Sequence, residues 1–173
     1  MSKKNFSKMI VFLQIIVLLV LAIIIVRIVN KPIDYDLNLN TLPQFSFINS
    51  LNHNIYSDDS IQIDKSCLII SYNSDCEHCQ YEVEQISKHI EQFRNYQVLM
   101  ISFEPIENIL AFREKYKLKQ PFIIFLQDPK LQFDDIFGNS PIPTSFIYNK
   151  DKKLVKQFKG EVKTEALLKY LAE

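Results

Sequence analysis

Cys76-Glu77-His78-Cys79 is the stretch of this 173-residue chain whose residue types and spacing can do chemistry. An apolar run, Cys67-Leu68-Ile69-Ile70, leads into it, and Ser74 and Asp75 stand just before it as candidate helix caps. Behind it, Val83, Ile86, Ile90 and Phe93 recur with the period of an amphipathic helix. Cys79 falls on that apolar stripe and should be the more buried thiol. Cys76 lies one turn earlier, at the exposed helix start. Two cysteines so spaced in a first helical turn can bring their sulfurs together, and a helix N-terminus favours a thiolate there. The chemistry predicted is reversible thiol–disulfide exchange, with the Cys76/Cys79 pair itself as the redox group and no added cofactor or metal. The helix start and a protonated His78 favour the Cys76 thiolate; Asp75 and Glu77 oppose it, so the balance stays open.

The flanking patterns supply elements to hold such a pair. Leu42, Phe45 and Phe47 alternate within 41–48 as a strand start, Asn49 to Asn54 reads as a turn, and Ile55-Tyr56 as a returning strand. Buried strands are expected at Cys67 to Tyr72, Val98 to Phe103 and Phe122 to Leu126, from their apolar runs. Helices are expected from Glu77 to about Tyr96, from Pro105 through Tyr116, and, briefly, from Leu131 to Phe137, stopped by Gly138. Thr144 to Tyr148 and Leu154 to Phe158 should form a hairpin around Asn149-Lys150-Asp151-Lys152. Thr164 to Leu171 should close the chain as a helix. Strands separated by helices imply parallel pairing, and the terminal hairpin adds antiparallel strands. The fold class is α/β: a mixed sheet flanked by helices, with an N-terminal β-hairpin.

Charge and hydropathy place that domain. Met9 to Val29 is apolar apart from Gln14 and Arg27. As a helix it would be about 31 Å long, matching a hydrocarbon core of about 30 Å. An N-terminal transmembrane helix over 9–29 is the expectation, because soluble helices rarely lack a polar face. No Ala-x-Ala pattern follows, as a cleaved signal peptide would require. Lys3, Lys4 and Lys8 put residues 1–8 in the cytoplasm, with 30–40 a linker and 41–173 the globular domain outside, in a periplasmic or equivalent extracytoplasmic space. Without Lys3, Lys4, Lys8 and Arg27, 16 basic residues face 20 acidic ones, which gives no reason to expect nucleic-acid binding.

Three stretches together resemble the thioredoxin superfamily, and within it the membrane-anchored TlpA/ResA-type (redoxin, AhpC/TSA-like) oxidoreductases. They are Leu42-Pro43-Gln44-Phe45-Ser46-Phe47, then Asp75-Cys76-Glu77-His78-Cys79, then Phe137-Gly138-Asn139-Ser140-Pro141-Ile142-Pro143-Thr144-Ser145-Phe146-Ile147. The resemblance implies a thioredoxin-like domain from residue 41 onward. It makes Cys76 the attacking thiolate and Cys79 the resolving one. It implies a cis Pro143, with Ile142, Pro143, Thr144 and His78 facing the substrate. The implied partners are extracytoplasmic protein thiols and disulfides, the bilayer, and a redox partner in the membrane. The chain departs from the family's usual pattern: Asp75 replaces a Trp before the first cysteine, and Ile70 stands where thioredoxins proper carry a buried carboxylate. Another base is then needed for Cys79, and Glu77 is the nearest candidate, its plainer role being a first-turn helix acid. Asn73 stands where peroxiredoxins carry Thr or Ser, which disfavours peroxidase chemistry.

His before the second cysteine resembles oxidising relatives such as DsbA, but the stretch from Cys79 to Pro143 has no room for that protein's inserted helical domain. A reductase or exchange enzyme is the expected direction. Two other classes stay open: a soft-metal (copper) carrier built on Cys76, His78 and Cys79, and a redox-inactive tethered binding module. Cys67 reads as a small core hydrophobe, with a regulatory or intermolecular disulfide as its alternative. His53 reads as a solvated turn residue. His89 lies too far along the helix from His78 to share a metal with both cysteines.

Overall fold

The computed structural model describes residues 14–21, 39–62 and 64–173. The chain divides into two units, Met1–Asp36 and Leu37–Glu173. In the first, residues 14–21 are helical and exposed. Most of the expected 9–29 span, and most of the 30–40 linker, lie outside the described residues. Among the described residues no helix is long and apolar enough to cross a membrane.

The second unit carries one seven-stranded sheet. In chain order it contains β1 (Ser46–Asn49), β2 (Ile55–Ser57), β3 (Cys67–Ser71), α1 (Glu77–Lys88), β4 (Gln97–Ser102), α2 (Ile106–Lys115), β5 (Ile123–Gln127), α3 (Phe133–Phe137), β6 (Thr144–Tyr148), β7 (Leu154–Lys159) and α4 (Thr164–Leu171). The strand order is β2-β1-β5-β4-β3-β6-β7. β3 pairs parallel with β4, and β4 with β5; every other pairing is antiparallel. The helical crossovers thus give the parallel centre and the two hairpins give the antiparallel flanks, as the order of elements predicts.

The period of two along β3 divides the core. Leu68 and Ile70 face one layer, where they meet Val83 and Ile86 of α1, Ile109 and Phe112 of α2, and Leu167 and Leu171 of α4. Cys67 and Ile69 face the other, with Phe45, Phe47, Phe133, Phe137 and Phe146. Stacked aromatic pairs fill that second layer: Phe45 with Phe47 at 5.3 Å and Phe133 with Phe137 at 4.7 Å between ring centroids. β3 is sheet-paired on both sides and covered on both faces, so the loop leaving its C-terminal end starts from a rigid platform.

Two boundaries differ from the sequence expectation. The first strand begins at Ser46, not near Thr41. Thr41 instead bridges Lys153, and Leu42 N–H donates to the Lys152 carbonyl at 2.8 Å, so this segment ties to the β6–β7 turn. Pro43 follows without an N–H to continue a ladder. The first long helix ends at Lys88, not at Tyr96. His89 Nδ1 bonds to the Gln85 carbonyl at 2.9 Å, and its own N–H turns to Ile86 O at 3.1 Å. The chain there leaves the helical region at φ −116° and resumes as a 3-10 turn over Ile90–Phe93. Phe93 stays buried in the same layer, so the apolar stripe persists through the break.

Candidate active site

The Cys76–Cys79 motif opens α1 directly after the loop that leaves β3. The N-cap is Cys76 itself, with an extended backbone at φ −80° and ψ 116°. Its Sγ accepts the Cys79 backbone N–H at 3.3 Å. Ser74 and Asp75, the caps expected from residue type, do other things. Ser74 donates its N–H and its hydroxyl to Glu104, at 2.7 and 2.5 Å. Asp75 is exposed, and its N–H is held by Asn73 Oδ1 at 2.8 Å. Gln80 Nε2 reaches back to the Ser74 carbonyl at 2.7 Å. The loop is therefore pinned from both sides before the first sulfur is reached.

Across from the motif, the Ile142–Pro143 peptide is cis. The Cys76 thiol donates to the Ile142 carbonyl at 3.7 Å. Ile142 is half-buried and Pro143 buried, and Gly160 N–H donates to the Pro143 carbonyl at 2.8 Å. Thr144 is buried, its hydroxyl donating to Pro141 O at 2.5 Å. Its side chain braces the loop and offers no free surface, so at this edge the Ile142 backbone is what lies beside the sulfur. Both cysteines are free thiols, Cys76 half-buried and Cys79 1% exposed. Burial pushes the Cys79 thiol well up from its ordinary range. The hydrogen bond with Cys76 and the Glu82 carboxylate push the same way, and the Asn73 backbone opposes them. Ionising the Cys79 thiol therefore needs a proton acceptor nearby.

Glu77, the nearest carboxylate in sequence, is exposed at the helix start and makes no side-chain hydrogen bond or ion pair among the described residues. On the same helix Glu82 is a buried carboxylate, 1% exposed. Its Oε1 accepts the Ser145 hydroxyl and its Oε2 the Val162 N–H, both at 3.1 Å. Burial raises it from 4.5 to about 7, with Glu161 adding to the rise and the two hydrogen bonds working against it. Cys79, Glu82, Val83 and Ile86 form the buried face of α1. Glu82 thus occupies a slot in the apolar stripe one turn after Cys79. A charged residue at a core-facing position was the available signal, and proximity in sequence to the cysteines obscured it.

His78 is largely exposed, and its Nδ1 lies 2.7 Å from Glu161 Oε2. Among the described residues no three His, Cys, Asp or Glu side chains gather where they could hold a metal ion. Cys67 is buried in the layer opposite Cys79.

The comparisons with known proteins bear on family and fold. Over 99 residues the chain is 30% identical to the thiol-disulfide oxidoreductase ResA of Bacillus thuringiensis subsp. konkukian, a match covering 56% of each protein. The chain thus spans little more than half the length of that curated relative. A secreted Mycobacterium tuberculosis disulfide oxidoreductase homologous to E. coli DsbE superposes with a TM-score of 0.64 at 16% identity, over 75% of this chain and 95% of the other. Peroxidoxin BcpB, also from Mycobacterium tuberculosis, gives 0.65 at 16%, over 76% and 94%. Both likenesses establish the thioredoxin-like fold, and their differing names show that the fold alone does not choose the chemistry. The model of the AhpC/TSA family matches residues 40–157, from the segment before β1 into β7, and the chain belongs to that family.

Proposed function

We propose that this protein is a thiol–disulfide oxidoreductase that exchanges its Cys76/Cys79 dithiol with disulfides of extracytoplasmic proteins. In the same reading, residues 9–29 hold it in the cytoplasmic membrane as a single span with the N-terminus inside. The observation that carries the chemistry is the position of Cys76 Sγ. It sits at the head of α1, 3.3 Å from the Cys79 N–H and 3.7 Å from the Ile142 carbonyl of the cis-proline loop. A sulfur there meets the positive end of the helix and an extended backbone edge on which a substrate strand can lie.

In the reducing direction, the Cys76 thiolate attacks one sulfur of a substrate disulfide. A Cys76–substrate disulfide forms, and the other substrate sulfur leaves as a thiolate that takes a proton. Glu82 accepts the Cys79 proton. The Cys79 thiolate then attacks Cys76 Sγ, closes the Cys76–Cys79 disulfide and releases the second substrate thiolate. Two electrons pass from the protein to the substrate. The reverse sequence runs through the same atoms, and the partner's potential sets the direction. An acceptor that titrates near 7 suits this role, because it can take the proton and return it at neutral pH.

The test is insulin reduction by the full chain in detergent, with dithiothreitol as electron source. Wild type should accelerate the reaction. Cys76→Ser should abolish the acceleration, and Cys79→Ser should trap a mixed disulfide on Cys76. Lack of acceleration, together with no trapped adduct, would remove the exchange assignment.

A further inference from the structure

Residues Gly160–Val162, between β7 and α4, cross the redox helix as a strap fixed at three successive points. Gly160 N–H donates to the Pro143 carbonyl at 2.8 Å. Glu161 Oε2 pairs with His78 Nδ1 at 2.7 Å. Val162 N–H donates to Glu82 Oε2 at 3.1 Å. Gly160 turns the chain into this path at φ +88°, a conformation that costs glycine little. His78 and Glu82 are four apart on α1, so they stand one turn from each other on one face. Adjacent strap residues reach both.

We propose that His78 is a positioning residue for Glu82, acting through Glu161: the ion pair neutralises a carboxylate beside Glu82 and holds down the strap that gives Glu82 its Val162 hydrogen bond. The inference rests on the dithiol-exchange reading, in which Glu82 takes the Cys79 proton. The groups bearing on Glu82 are few among the described residues. Cys79 lies on its own helix, the Ser145 hydroxyl comes from β6, and Glu161 and the Val162 N–H come from the strap. Glu161 is the charged one, and His78 cancels that charge when its imidazole carries both protons.

The two members of the pair therefore push Glu82 in opposite directions. His78→Gln leaves the Glu161 charge bare, so Glu82 holds its proton more tightly. Glu161→Gln removes that charge and keeps an oxygen for the imidazole, so Glu82 holds its proton less tightly. A latch that was only structural would loosen in both variants and move Glu82 the same way in each. Both side chains are substantially exposed, at 72% and 42%, so neither change threatens the fold.

The step to follow is closure of the Cys76–Cys79 disulfide. The full chain, reduced and held in detergent, is reacted with an aromatic disulfide that leaves thionitrobenzoate on Cys76. Cys79 then attacks Cys76 Sγ and expels coloured thionitrobenzoate anion. The rate of this second phase is recorded against pH, and Glu82→Gln identifies the inflection that belongs to Glu82. His78→Gln should raise that inflection and Glu161→Gln should lower it, each by on the order of half a pH unit at a partly screened site. His78→Lys, which keeps the cation, should return the midpoint to the wild-type value, and the double Gln variant should lie near it too. Shifts of the same sign in the two single variants, or no shift in either, would overturn the proposal while the exchange reading stood. If wild type released no second thionitrobenzoate, the exchange reading would fail and take the proposal with it.

Discussion

At the scale of single residues, Glu82 is where two independent measurements meet. The first is kinetic. Cys79 is buried beyond easy ionisation, and Glu82 is the buried carboxylate that bears on it. Glu82→Gln should slow disulfide closure by on the order of 10²-fold at neutral pH, the lower range for loss of a positioned base. It should leave the first attack by Cys76 nearly unchanged; stopped-flow separation of the two phases checks both. The second is thermodynamic. The folded chain holds the Glu82 proton up to about pH 7, whereas the ordinary carboxylate value is 4.5. Between those values the folded state binds more protons than the unfolded one, so stability falls as pH rises and then levels off. The full fall is on the order of 3 kcal/mol, at about 1.4 kcal/mol per pH unit. Glu82→Gln removes this slope and loses roughly 1 kcal/mol, because the amide nitrogen cannot accept a hydrogen bond. Urea titrations at pH 4 and 8 should show the variant gaining on wild type by about 2–3 kcal/mol across that range. Parallel curves would mean that Glu82 titrates in the fold as it does in the unfolded chain.

At the scale of elements, the site is a junction of three loops, and Glu104 ties two of them. It follows β4, is 5% exposed, and accepts Ser74 N–H, the Ser74 hydroxyl and the Ser102 hydroxyl. Glu104→Ala should cost about 3 kcal/mol, since three hydrogen bonds at about 1 kcal/mol each are lost, the half-buried Ser74 N–H among them. Ser74→Ala should cost about 1 kcal/mol, and the double variant less than the sum, because the pair shares its bonds. Urea midpoints at constant slope check the cycle. None of this junction was legible along the chain, because Ser74 and Glu104 meet only once β3 and β4 lie side by side. The strands were legible, since buried runs such as Leu68-Ile69-Ile70 and Val98-Leu99-Met100-Ile101 admit few other readings. So was the antiparallel β6–β7 hairpin, from its turn residues. The end of α1 was not, because the apolar stripe runs on to Phe93 while a His89 side-chain bond breaks the backbone beneath it. Cys76 and Cys79 could be placed at a helix tip from spacing alone; Glu82 could have been, had its position in the same stripe outweighed its charge.

At the scale of the whole molecule, the sheet is a partition. Cys67 opens β3 on the layer that holds Phe47, Tyr56 and Tyr148, while Cys79 packs in the layer on the other side. Burial pushes up the Cys67 thiol and the phenols of Tyr56 and Tyr148, and Cys67 adds to the rise in both phenols. A thiol in that setting is a core methyl in all but name, and pairing with Cys76 or Cys79 would require β3 to leave the sheet. β3 has a partner strand on each side and helices or aromatic side chains on each face, so no local fraying exposes its first residue. Its opening should therefore be global opening of the Leu37–Glu173 unit. In a chain carrying Cys76→Ser and Cys79→Ser, a thiol reagent should label Cys67 with an apparent opening free energy within about 1 kcal/mol of that from urea unfolding. The two should fall together as denaturant is added. Labelling within minutes in native buffer, insensitive to urea, would mean that β3 opens by itself. The rigid platform beneath the Cys76–Cys79 motif would then have to be sought elsewhere than in the sheet.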